Sequence, residues 1–171
     1  MNFDKEILDQ IIKETKRRLI EEGVSRVIKC LGMLNEEEIW HRPNEQSNSV
    51  GNLVLHLCGN VRQYVVSGIG GKTDTRKRQS EFDEKGPVPT EKLIRDLNSL
   101  VEEVELVLDQ LDPHELVEAR KVQGFDETVV GILIHVTEHF SYHVGQISYF
   151  VKAKQNRDLG YYDGLDLDIT S

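Results

Sequence analysis

Basic residues are in deficit. The chain of 171 residues carries 21 Lys and Arg against 30 Asp and Glu, a formal net charge of −9. Nucleic-acid binding needs a basic footprint that displaces counterions, so that class of partner is excluded. Cysteine is scarce too. Cys30 and Cys58 form no CxxC pair, which excludes a disulfide-stapled scaffold and fits a reduced, cytoplasmic setting. No apolar run approaches the roughly 18 residues of a transmembrane helix, so no membrane partner is expected. The segment Met1-Asn2-Phe3-Asp4-Lys5-Glu6 is too charged for a signal peptide. GxGxxG, GxxxxGK[ST] and GxSxG are all missing, which removes support for nucleotide chemistry and for a serine nucleophile elbow. Glu-x-x-His is not found on two facing helices, its one occurrence being Glu38-Ile39-Trp40-His41 in a connector, so a di-iron carboxylate centre is not expected.

Proline is confined to positions 43, 87, 89 and 113, all between segments of helical periodicity. The first such segment runs from about Phe3 to Leu34, with Leu8, Ile11, Ile12, Leu19, Val27 and Leu31 on its apolar stripe. A connector with Trp40-His41-Arg42-Pro43 follows. Ser49, or alternatively Ser47, caps a second helix that reaches about Gly68. Gly70 to Pro89 reads as a long polar loop. Thr90 starts a third helix that ends by Asp112-Pro113. A short hairpin around Arg120-Lys121 is expected next, and Asp126 or Thr128 opens a fourth helix ending near Lys154. The tail from Asn156 carries Leu159, Tyr161, Tyr162 and Leu165 and is expected to pack on the helices. Four amphipathic helices without a clear strand pattern give an all-α bundle, one domain over residues 1–171 with a carboxy-terminal tail. Bundles of this kind place metal sites between facing helices.

The fourth helix contains His135, His139 and His143. With Val136 at zero and about 100° per residue, His143 lies near −20°, His139 near −60° and His135 near −100°. His143 therefore points into the apolar face and His139 sits at its edge. A single histidine on an apolar face is commonly a satisfied core residue. Two at i and i+4 stand about 5–6 Å apart and suit chelation of one divalent ion by neutral imidazoles. Catalytic zinc sites use three protein ligands. His56, on the flank of the second helix, is the natural third; His41 and His114, beside prolines in connectors, read as surface residues.

His139-x-x-x-His143-x-Gly145-Gln146 resembles the signature of the DinB-like (damage-inducible) superfamily. Asn48-Ser49-Val50-Gly51-Asn52-Leu53-Val54-Leu55-His56-Leu57 resembles its other conserved element. Trp40-His41-Arg42-Pro43 with Asn48-Ser49 looks like a bacterial branch related to bacillithiol- and mycothiol-dependent S-transferases. The resemblance covers nearly the whole chain. It implies a four-helix bundle in up-down-down-up order with a long crossover after the second helix. It also implies one divalent metal, zinc or nickel, on His56, His139 and His143, and a low-molecular-weight thiol as cofactor. A homodimer is expected, with Tyr142 and Tyr149 on the outer flank of the fourth helix.

These features point to a metal-dependent enzyme acting on a small-molecule substrate, with thiol S-transfer as the reaction. The alternatives are metal-assisted hydrolysis and a non-catalytic, stress-associated metal-binding protein. Glu138 falls near −160° on the wheel, about opposite the core face, and is a poor candidate for a base. His135, Gln146 and Asn60 are the candidates to hold the ligand rings. Arg62 or Lys72 would make a pocket mouth basic enough for an anionic thiol.

Overall fold

The computed structural model describes residues 3–170. Met1, Asn2 and Ser171 lie outside them, so the amino-terminal reading is described only from Phe3 onward. The first bundle helix is continuous over residues 3–31. It is α-helical over Phe3–Thr15, π-helical over Lys16–Val24 and α-helical again over Ser25–Leu31. The second begins at Val50 because Ser49 and Asn52 form a reciprocal capping box. It is α-helical over Val50–Val61 and π-helical over Arg62–Ile69. The third is Thr90–Leu108, and the fourth is Val129–Gln155, α-helical throughout. Thr128 caps the fourth, its hydroxyl accepting from the Gly131 amide at 3.1 Å.

Contacts between helices give the topology. Arg62 meets Glu103 and Gly70 abuts Val107, so the second and third helices run parallel. Gly23 abuts Phe140, and further on Cys30 reaches Ser148 through the Tyr161 hydroxyl, so the first and fourth run parallel. The second and fourth are antiparallel, with Tyr64 against His135 and His56 against His139 and His143. The result is the up-down-down-up four-helix bundle. Leu57, Leu97, Leu108, Ile132, Leu133, Phe140 and Ile147 are among the fully buried side chains at its centre. No helix among the described residues is long and apolar enough to cross a membrane.

Two connections, and part of the tail, differ from expectation. The hairpin is present as β1 (Ala119–Val122) and β2 (Phe125–Thr128), but its turn is Gln123-Gly124 rather than Arg120-Lys121. Both turn residues have positive φ, 54° and 87°, as a two-residue loop that matches strand twist requires. Arg120 is instead paired with Glu115 and Glu118. In the tail, Leu159 is buried and Tyr161 packs against the first and fourth helices, whereas Tyr162 and Leu165 are exposed. The 70–89 crossover is not all loop, for it contains the helix Arg78–Asp83.

Candidate metal centre

The fourth helix presents His139 and His143 one turn apart, and the second helix presents His56 across from them. Nε2 of His139 lies 3.2 Å from Nε2 of His56 and 3.3 Å from Nε2 of His143. The three form a cluster that could hold a metal ion. Tetrahedral bonds of about 2.0–2.1 Å from zinc to imidazole separate two nitrogens by about 3.3–3.4 Å. The two separations at His139 match that spacing, and the three ligand atoms all lie within 4.8 Å of one another.

The opposite ring nitrogens explain why these three atoms face each other. Nδ1 of His56 lies 2.9 Å from Oε2 of Glu81, and Nδ1 of His143 lies 2.7 Å from Oε1 of Gln146. A carboxylate and an amide oxygen only accept, so each Nδ1 carries the proton and each Nε2 presents a lone pair. His139 is caught between them. Its Nδ1 is buried without a partner. If His139 is protonated at Nδ1, an orphaned donor is buried and three lone pairs converge. If it is protonated at Nε2, it satisfies one neighbour and repels the other. A divalent cation among the three nitrogens resolves both conflicts, so the donor set fits the implied metal.

Glu81 comes from the short helix Arg78–Asp83, and the second helix holds that segment in place. Asn52, one turn before His56, donates through Nδ2 to the carbonyls of Glu81 (2.9 Å) and Glu84 (2.8 Å). Arg42 donates to Oδ1 of Asn52 at 2.9 Å and to the Phe82 carbonyl. Gly59 lets the carboxylate approach, since a Cβ there would stand 2.0 Å from Oε1 of Glu81. Arg76 clamps both oxygens at 2.7 and 2.9 Å and donates to Gln63 at 2.8 Å. Its Nη2 is also 3.1 Å from Nδ1 of His56. Both atoms are donors here, and both direct their hydrogens to the carboxylate. Arg42 and Asn52 lie in the two segments that carried the family resemblance around the second helix. Their role is to fasten the crossover beneath the histidines.

His56, His139 and His143 are brought together, while His41 and His114 are exposed. His135 is outside the cluster. Its ring stacks between Tyr64 (centroids 4.4 Å apart) and His139 (5.6 Å), and its Nε2 is buried without a partner. Of the three residues expected to hold the ligand rings, Gln146 does so, whereas Oδ1 of Asn60 is also unpartnered. Glu138 is exposed. The depth order departs from the helical wheel: His56 is buried, whereas His139 and His143 are half-buried. The crossover accounts for this, because Phe82 packs its ring 4.8 Å from that of His56. Tyr142 sets its ring edge 5.1 Å from His143. Arg62 is not a free basic group at a pocket mouth, being tied to Glu103 and to the Asp96 carbonyl.

The electrostatics keep His139 and His143 neutral. Burial, reinforced by the neighbouring His143, His56, His135 and Arg76, pushes His139 down to about 3 from 6.5. Burial likewise lowers His143. Burial alone would raise Glu81, but hydrogen bonds from Arg76 and His56 outweigh it and hold its carboxyl below the ordinary 4.5. Between about pH 6.5 and 3 the folded chain therefore binds fewer protons at His139 than the unfolded chain does. That contribution to stability is complete above 6.5 and is lost as pH falls toward 3; the Glu81 contribution is lost in the same direction below 4.5. The urea midpoint of metal-free protein should accordingly fall from pH 7 to pH 5 and further to pH 4, less steeply in His139→Gln. A midpoint unchanged between pH 7 and 5 would contradict this account.

A family model described as "Protein of unknown function (DUF1572)" matches residues 3–162. No curated protein matches the chain. Among solved structures, a conserved protein from Enterococcus faecalis is similar at 15% identity and a TM-score of 0.72, over 85% of this chain and 97% of that one. A DinB-like protein, YjoA, from Bacillus subtilis is similar at 17% identity and 0.64, over 87% and 94%. A DinB-like protein from Bacillus cereus is similar at 16% identity and 0.59, over 81% and 89%. The fold is that of the DinB-like proteins.

Proposed function

The chain belongs to the DUF1572 family and has the DinB-like fold, and from that premise we propose that His56, His139 and His143 hold one divalent ion, zinc or nickel, for chemistry on a low-molecular-weight thiol. The observation that carries this reading is the convergence of three Nε2 atoms, two of them left with a lone pair because the Nδ1–H of the same ring donates to Glu81 or Gln146. A divalent ion bound by neutral imidazoles supplies a Lewis acid that favours a thiolate over a thiol. The residues around it do the rest. Glu81 raises the basicity of His56 and fixes its ring, and Gln146 does the same for His143. His135 braces the flat face of His139.

The chain's own sulfurs do not compete for that role. Cys58 is buried and its thiol is pushed up to about 12 by burial, and burial raises Cys30 as well. Neither is a thiolate at neutral pH, so a sulfur nucleophile has to arrive as a small molecule. In the test, cobalt-substituted protein is titrated with bacillithiol, glutathione and coenzyme A. At least one should shift the cobalt spectrum, and transfer of that thiol to an electrophile should vanish with chelator. Metal uptake without any response to thiols would replace this reading with metal-assisted hydrolysis or a non-catalytic, stress-associated metal-binding role.

The same proposal includes a homodimer. Ile134 and Tyr142 stand 62% and 64% exposed on the fourth helix, apolar surface that a second copy would cover. Light scattering at tens of micromolar should give twice the 19.6 kDa chain mass, and the monomer mass would reject it.

A further inference from the structure

A groove of about 680 Å³ lies between the first connector, the start of the second helix and the end of the fourth. That is the size range of small-molecule sites. Val50, Leu53 and Phe150 line it as an apolar bed, and Gln146, the residue that holds His143, forms part of its wall. Its charge sets it apart. Four other hollows on this acidic chain each present two or more carboxylates, whereas none lines this one. Lys154 lines it and has no ion-pair partner among the described residues. His41 faces the Phe150 ring, centroids 6.3 Å apart, and its imidazole has no hydrogen-bond partner.

We propose that this groove binds an organic anion with an apolar body. The anionic head pairs with Lys154 beside His41, the body lies on Val50, Leu53 and Phe150, and the far end meets Gln146. Lys154 and Gln146 are eight residues apart on one helix, about 12 Å along its axis. An occupant therefore spans several carbon–carbon bonds between its head and its far end. Cations are not excluded by size. They are excluded because Lys154 would repel them and no carboxylate is present to receive them.

The probes are 4-phenylbutyrate, 4-phenylbutyramide and 4-phenylbutylamine, titrated calorimetrically into metal-free protein. The carboxylate should bind at least tenfold tighter than the amide, and the amine should give no heat. Lys154→Gln should erase the difference between carboxylate and amide. Ala153→Trp, an exposed position on the groove wall, should remove binding of both. Absence of carboxylate binding, equal binding of all three probes, or an unaffected Ala153→Trp variant would overturn the groove.

Discussion

Replacing His56, His139 or His143 by alanine should lower zinc affinity by more than about 100-fold, beyond the 10–100-fold cost of losing an outer partner. Each supplies one of the three converging Nε2 atoms. His139→Ala is the cleanest of the three. It deletes a buried Nδ1 that has no partner, so the metal-free variant keeps its fold while losing the ion. His135→Ala should be milder, because it removes a stacked ring rather than a ligand. His114→Ala, at an exposed position, should have no effect. Competition with a chromogenic chelator reads the affinities, and circular dichroism confirms retained helicity. If His135→Ala matched His143→Ala in severity, the ligand set would have to be redrawn around His135 and His139.

Glu81→Ala should be the most damaging change outside the histidines, and its damage is twofold. It strands the Arg76 guanidinium, whose side chain is 5% exposed, together with the Nδ1 proton of His56. Breaking a buried pair by removing one partner costs about 3–5 kcal/mol, because the remaining charge is left uncompensated. Urea denaturation of metal-free protein should show that loss. Metal affinity should fall by a further 10–100-fold, because His56 is no longer held in one tautomer and orientation. Glu81→Gln still accepts from His56 but loses the charge that pairs with Arg76, and should fall between the two. A stability change below about 0.5 kcal/mol, as for a surface substitution, would show that Glu81 is not the anchor of the site.

Glu81 and Arg76 were also the least legible residues of the site. In the sequence they stand in a run of charges from Arg76 to Lys85 and read as solvated. What buries them lies elsewhere: the missing side chain of Gly59 and the Asn52 amide on the second helix. The one local signal was Phe82, the lone large apolar residue of that stretch, which packs on His56. The histidines of the fourth helix were legible for a definite reason. Val129–Gln155 is regular α-helix from end to end, so a 100° wheel finds its buried face, although it sets His143 deeper than the half-buried position that it takes. His56 lies in the α-helical part of the second helix, before Arg62–Ile69 turns π-helical and a 3.6-residue period stops applying. A wheel knows only its own helix, so it placed His56 on a flank that the crossover in fact covers. The charged pair Arg120-Lys121 does not mark the hairpin tip; Gln123-Gly124 does, because it has the backbone freedom that the turn needs.

If three imidazoles of one chain hold one divalent ion, metal-free protein equilibrated with zinc and dialysed should retain one zinc per chain by elemental analysis, and His139→Ala none. A wild-type protein that retains no metal, or a His139→Ala variant that retains as much as the wild type, would show that these histidines do not hold the ion.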